Sequence, residues 1–158
     1  ALAAAREEGA SLTVARAGDE YRLGRLRLRV LWPDGPGQED DDPNEHAIVL
    51  LVSYGDTDLL LAADAESDVT SRLPLPPVEV LKVAHHGSRD PGLADLLERL
   101  RPRLAVISVG RDNDYGHPAP STLAALERVP GLRVYRTDEV GDVVVESDGH
   151  ALSVRRTR

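Results

Sequence analysis

Residues 47–54 and 57–62 are two continuous, largely apolar runs with only Gly55-Asp56 between them. A Gly-containing pair between apolar runs is the composition of a tight hairpin turn, so the two segments are expected to pair antiparallel. Both runs are apolar at successive rather than alternate positions. Strands of that kind belong in the middle of a sheet, covered on both faces. Residues 80–83 and 104–109 are two more short apolar runs. Helical spacing at Leu93, Leu96, Leu97 and Leu100, ended by Pro102, places a helix between them. A second helix is expected at about 121–129, with Ser121 as its cap. Strands followed by alternating helix and strand predict a single layered α/β domain.

The remaining segments are weaker signals. Residues 1–8 read as the end of a helix stopped by Gly9, and residues 11–16 and 26–32 alternate apolar and polar side chains as half-buried strands do. A loop rich in Asp, Gly and Pro follows at 33–44. Its acidic run at 39–42 matches no calcium-loop spacing and reads as solvated chain. A short helical stretch ends near Leu73, and Pro74, Pro76 and Pro77 force an extended crossover into the strand at 80. Short closing strands are expected at 132–135, 143–146 and 152–155.

Composition narrows the chemistry. Hydrophobic residues make up 41% and charged residues 29% of the 158, which fits a folded domain and not a disordered chain. No apolar window approaches the roughly 18 residues of a membrane-spanning helix. Cysteine is absent, so disulfides and thiolate metal sites are excluded and any metal must be held by His and carboxylate. The formal net charge of -8 gives no diffuse attraction for polyanions. Contact with nucleic acid would need a local basic cluster or a bound cation. The chain opens on Ala1-Leu2-Ala3-Ala4-Ala5 without a start Met, as a piece of a longer protein would.

Three expected strand ends carry polar groups. The run from Val80 ends in His85-His86-Gly87-Ser88, the run ending at Ala62 is followed by Asp64, and the loop after Val109 bears Asn113 and His117. The carboxyl ends of strands are where α/β proteins place their sites. If these ends share a rim, Asp64 and an imidazole meet where a divalent cation finds carboxylate and nitrogen ligands. Each residue also has a plainer use: Asp64 as a helix cap, the histidines as a surface pair, His117 as a loop residue before Pro118.

The ordered combination LKVAHHGS, then RPRLAVISVGRDNDYGHPAPSTLAALE, then LRVYRTDEVGDVVV resembles the C-terminal metallo-β-lactamase-like domain of the ComEC/Rec2 competence family, over roughly residues 28–146. The resemblance implies a partial αββα sandwich of mixed sheets covered by helices. It implies that Asp64 is a metal-bridging carboxylate, although Ala63 stands where the family has Gly. Strand polarity selects His85 as the late metal ligand, with His86 beside it, and the resemblance gives His117, Ser88 and His86 catalytic roles. Asn113, Arg89 and Arg111, and also Arg136, are candidates for contacts to substrate. Whether His46, in Asn44-Glu45-His46, takes part stays open. The cofactor implied is a divalent metal, Mn or Zn, as two ions in an intact domain.

The implied activity is a metal-dependent phosphodiesterase that degrades the DNA strand not imported. The implied partners are DNA and the membrane-channel portion of the same parent protein. The implied place is a soluble domain of a bacterial inner-membrane protein, on the extracytoplasmic side. The family's principal metal motif, a His-x-Asp-x-Asp-His, has no counterpart in residues 1–43. Residues 1–158 are therefore expected to form one domain lacking its N-terminal portion, and to bind metal weakly and cut poorly alone. Two alternatives are a non-catalytic hydrolase-fold module that binds DNA or a partner, and a hydrolase of a small phosphodiester such as a choline ester.

Overall fold

A computed structural model describes residues 2–36 and 42–158. The acidic run is thus described only at Asp42; Glu39, Asp40 and Asp41 lie outside the described residues.

Helix α1 (Leu2–Glu7) comes first, and Gly9, at φ 72°, ends it as expected. Strands β1 (Glu20–Leu23), β2 (Leu26–Trp32), β3 (Val49–Tyr54) and β4 (Thr57–Leu61) form an antiparallel meander. The β3–β4 hairpin turns at Gly55-Asp56, with Tyr54 opposite Thr57. From β4 the sheet becomes parallel through β5 (Val80–Lys82), β6 (Leu104–Ile107) and β7 (Arg133–Arg136). The seven strands lie side by side in sequence order. The parallel connections carry α2 (Ser67–Thr70), α3 (Leu93–Leu100) and α4 (Pro120–Glu127).

Crossovers that all step the same way across a sheet, all right-handed, put their helices on one face. Leu51, Leu60, Leu81 and Ala105 are register neighbours on that face and are essentially inaccessible. They pack with Leu93, Leu96, Leu97 and Leu100 of α3 and Leu126 of α4 into one core. The opposite face of the meander differs from expectation: Leu50, Val52, Leu59 and Leu61 are only half-buried. The cover there is a hairpin of β8 (Val143–Ser147) and β9 (Leu152–Arg156), preceded by the short helix α5 (Thr137–Val140). It is attached by the Thr57 and Ser147 hydroxyls at 2.7 Å and by Arg156 over the Tyr135 ring. Gly55 and Gly149 touch, so a side chain at residue 55 would meet the Gly149 Cα at 2.8 Å.

Three local expectations are corrected. Residues 11–16 form no strand: Leu12 and Val14 are exposed, and no neighbouring strand pairs with the segment. Strand β1 was not expected, because its four exposed residues carry no buried stripe; pairing with β2 alone makes it a strand. Ser121 lies inside α4, whose cap position is Ala119, with Pro120 supplying the first helical residue.

Candidate functional site

Strand β4 ends at Leu61, and Ala63 then turns the chain with φ 49°, presenting Asp64 at the carboxyl rim. Asp64 does not cap α2; the cap position is Glu66. Strand β5 ends at Lys82, earlier than a strand running through the histidines requires. A 3₁₀ turn (Ala84–Gly87) follows, with His85 at φ 43° and His86 at φ 55°. Side chains with a Cβ pay about 1–2 kcal/mol each in this left-handed region, so the turn must be held from outside. The His85 amide donates to the Ala63 carbonyl at 3.0 Å, the Ser88 amide to the His85 carbonyl at 2.9 Å, and the Ala119 amide to the Gly87 carbonyl at 2.8 Å. Gly87, at φ 81°, lies close enough to Pro118 that a Cβ there would meet the Pro118 Cβ at 2.8 Å, which seats the histidine turn against the loop bearing His117.

The chain turns between the two imidazoles, whose centroids lie 6.3 Å apart edge to face while each ring takes a different partner. The His86 Nδ1–H donates to the Ser108 carbonyl at 2.7 Å, because that partner can only accept. This leaves the Nε2 lone pair free, 3.9 Å from Asp64 Oδ1. The His85 Nδ1 instead lies 3.3 Å from Glu66 Oε1, and its ring meets that of His117 edge-on with centroids 5.8 Å apart. The imidazole paired with Asp64 is therefore that of His86, whereas strand polarity had selected His85.

Asp64, Glu66, His85 and His117 border a cleft of about 220 Å³, and the His86 ring lies outside its lining. Among the described residues, five carboxylates line it, from Asp42, Glu45, Asp64, Glu66 and Asp68, against one guanidinium from Arg89. Such a surplus attracts cations and repels a phosphodiester that arrives without one. Burial pushes the Lys82 ammonium below the ordinary lysine range, while the nearby Asp64 carboxylate opposes that shift.

The other expected residues fall into two groups. His117 and Ser88 line the cleft with Arg89. The Ser88 hydroxyl, though, donates to the Glu66 carboxylate, and the residue is 8% exposed. Asn113 spends its amide inside its own loop: Nδ2 donates to the Gly110 and His117 carbonyls, and Oδ1 accepts from the His117 amide. The Arg111 guanidinium donates to the Asp138 carbonyl at 3.3 Å, outside the cleft. Arg136 is committed to Asp138 at 2.6 Å and Glu139 at 2.8 Å, and the Asp138 bond holds its charge firmly in place. Of the run Asn44-Glu45-His46, Asn44 and Glu45 reach the cleft lining. Glu66 escaped the sequence reading. The available signal was a second carboxylate two residues after Asp64 at a helix start.

Among the described residues, no group of three or more His, Asp or Glu side chains is arranged to hold a metal ion. Two donors do fit. Ligands about 2.1 Å from one tetrahedral ion lie ~3.4 Å apart, close to the His86–Asp64 separation, and the Ser108 carbonyl fixes the imidazole in the tautomer a ligand needs. The residues present thus suit a divalent cation as part of its shell.

The architecture is a metallo-β-lactamase-like α/β fold, a mixed seven-stranded sheet with helices on one face. A crystal structure of a protein assigned as a metal-dependent hydrolase from Parabacteroides distasonis superposes with a TM-score of 0.52 at 13% identity, covering 86% of this chain and 61% of that one. No family model matches the chain. Over 146 residues the chain is 34% identical to ComE operon protein 3 of Bacillus subtilis, and over 149 residues 32% identical to Recombination protein 2 of Haemophilus influenzae. These matches cover 90% and 92% of the chain and 18% of each relative. YcaI, an uncharacterised protein of Escherichia coli, is 27% identical over 108 residues, 65% of the chain and 14% of that protein. The chain is homologous to a segment of these two ComEC/Rec2 proteins and spans under a fifth of their length. Among the described residues no helix is long and apolar enough to cross a membrane.

Proposed function

We propose that this domain supplies one wall of a metal-dependent phosphodiesterase site in a DNA-uptake protein, acting on the strand that is not imported. The observation that supports it is the pairing of a tautomer-fixed His86 with Asp64, which borders an acidic cleft, in a chain homologous to a segment of competence proteins. Asp64 and His86 would hold a cation, with His85, oriented by Glu66, next to them. When bound, a divalent cation neutralises phosphate charge and lowers the pKa of water. His117 faces the cleft with its backbone clamped by Asn113, placing an imidazole to donate to a non-bridging oxygen. Arg89 adds a guanidinium to the lining. Further ligands would come from elsewhere in the parent chain. The domain would be a soluble part of an inner-membrane protein, on its extracytoplasmic side, working beside the membrane channel.

The absence of a third protein ligand among the described residues favours one other reading, a non-catalytic module that binds DNA or a partner. The test is cleavage of single-stranded DNA, double-stranded DNA and a small phosphodiester. It is run on this chain and on a form extended upstream, with Mn²⁺, Mg²⁺ and Zn²⁺ in turn. The longer form should degrade DNA, and this chain should do so poorly. A longer form inert under every metal would leave the binding module, and cleavage of the small ester alone would point to a different substrate.

A further inference from the structure

Lys82 is the only lysine among 19 basic residues, and it sits inside the sheet. Its register neighbours are Leu61 on β4 and Val106 on β6, so its stem lies on the half-covered face, where an apolar side chain would pack without losing hydration. The ammonium runs to the carboxyl rim and donates to the Ala63 carbonyl at 3.2 Å. That same oxygen accepts the His85 amide at 3.0 Å. One carbonyl therefore joins the residue before Asp64 to the first histidine of the turn. Ala63 holds a left-handed conformation, φ 49°, that an alanine does not choose unaided.

We propose that Lys82 is a positioning residue: by gripping the Ala63 carbonyl it locks the end of β4 to the end of β5 and keeps Asp64 facing the His85-His86 turn. The proposal rests on the functional reading above for the purpose of that alignment, but the lock itself is independent of any metal. A slim ammonium on a flexible stem can enter between two strand ends, where the planar fork of Arg is too broad. The lock also accounts for an alanine at the left-handed position. Two donors on one carbonyl hold the turn, and a glycine there would need less help.

The test is Lys82→Met, which keeps an unbranched stem and removes the donor, read by amide hydrogen exchange. The His85 amide should exchange at least ~10-fold faster while the Leu60 and Leu81 amides keep their rates, because the opening is local. Mn²⁺ affinity should fall with it. Adding Ala63→Gly to Lys82→Met should restore part of the protection at His85, since glycine removes the strain the lysine opposes. If Lys82→Met does not fold, Lys82→Arg serves, with the same local loss expected. Unchanged exchange at His85, or an equal rise at every amide, would overturn the proposal. Local loss at His85 in a protein that binds no Mn²⁺ would uphold the lock and sink the metal site instead.

Discussion

The Nε2 atom of His86 stands 3.9 Å from the Oδ1 atom of Asp64, although the two residues come from different strand ends and lie more than twenty positions apart in sequence. The separation depends on two backbone departures, the left-handed Ala63 and the left-handed pair His85-His86. Anything that straightens either turn separates the pair.

Gly87 is the most sensitive point of that arrangement. A Cβ there would lie 2.8 Å from the Pro118 Cβ and 3.2 Å from the Ile107 Cγ2, at φ 81°. Gly87→Ala should cost roughly 1–3 kcal/mol, read as a lower urea midpoint, and should part the histidine turn from the His117 loop. An unchanged midpoint would mean that the loop is not seated on the turn.

Asn113 acts on His117 through the backbone. Asn113→Ala removes three hydrogen bonds within the loop and should cost about 1–2 kcal/mol, the exposed side recovering part of the loss from water. In an active longer form, KM for DNA should rise more than kcat falls, because the imidazole stays present but loosely placed. A pure loss of kcat would instead make Asn113 a contact to the reacting group.

The β8–β9 hairpin should be the acid-sensitive part of the fold. The Arg155 bond holds the Glu146 carboxyl below its ordinary value of 4.5, and the Ala151 and His150 amides hold Asp148 below 3.8. Each group binds fewer protons folded than unfolded, so its contribution is complete above those values and is lost as the pH falls through the lower, folded ones. Hairpin amides should therefore lose protection on acidification below about pH 4.5 before the α3 core does, and Arg155→Ala should lower their protection already at neutral pH while removing Glu146's share of the acid-dependent loss. Simultaneous loss in both regions would contradict this.

The sheet was legible where burial leaves its mark on composition. The runs around Gly55-Asp56 and at 80–83 and 104–109 became β3 to β6 because strands buried on one face and half-covered on the other are largely apolar. Residues 11–16 show the limit of such patterns: Leu12 and Val14 alternate correctly but find no neighbouring strand, and pairing is a tertiary property. Placing polar groups at strand ends put Asp64, His85 and His117 on one rim, and all three border the cleft. Which imidazole faces Asp64 did not follow from that placement, since it is set by φ values at His85 and His86 that non-glycine residues rarely adopt. Glu66 and Lys82 were hidden for another reason. Their partners, Ser88 and the Ala63 carbonyl, come from other strand ends, at distances that chain order does not encode.

The claim that Asp64 and His86 together hold a cation is tested most directly by Mn²⁺ titration of this chain, with free ion followed by its electron spin resonance signal. Binding should be weak and should fall at least ~10-fold in both Asp64→Ala and His86→Ala. His85→Ala should fall less, because that imidazole is turned to Glu66. Unchanged Mn²⁺ affinity in Asp64→Ala and His86→Ala would contradict the account.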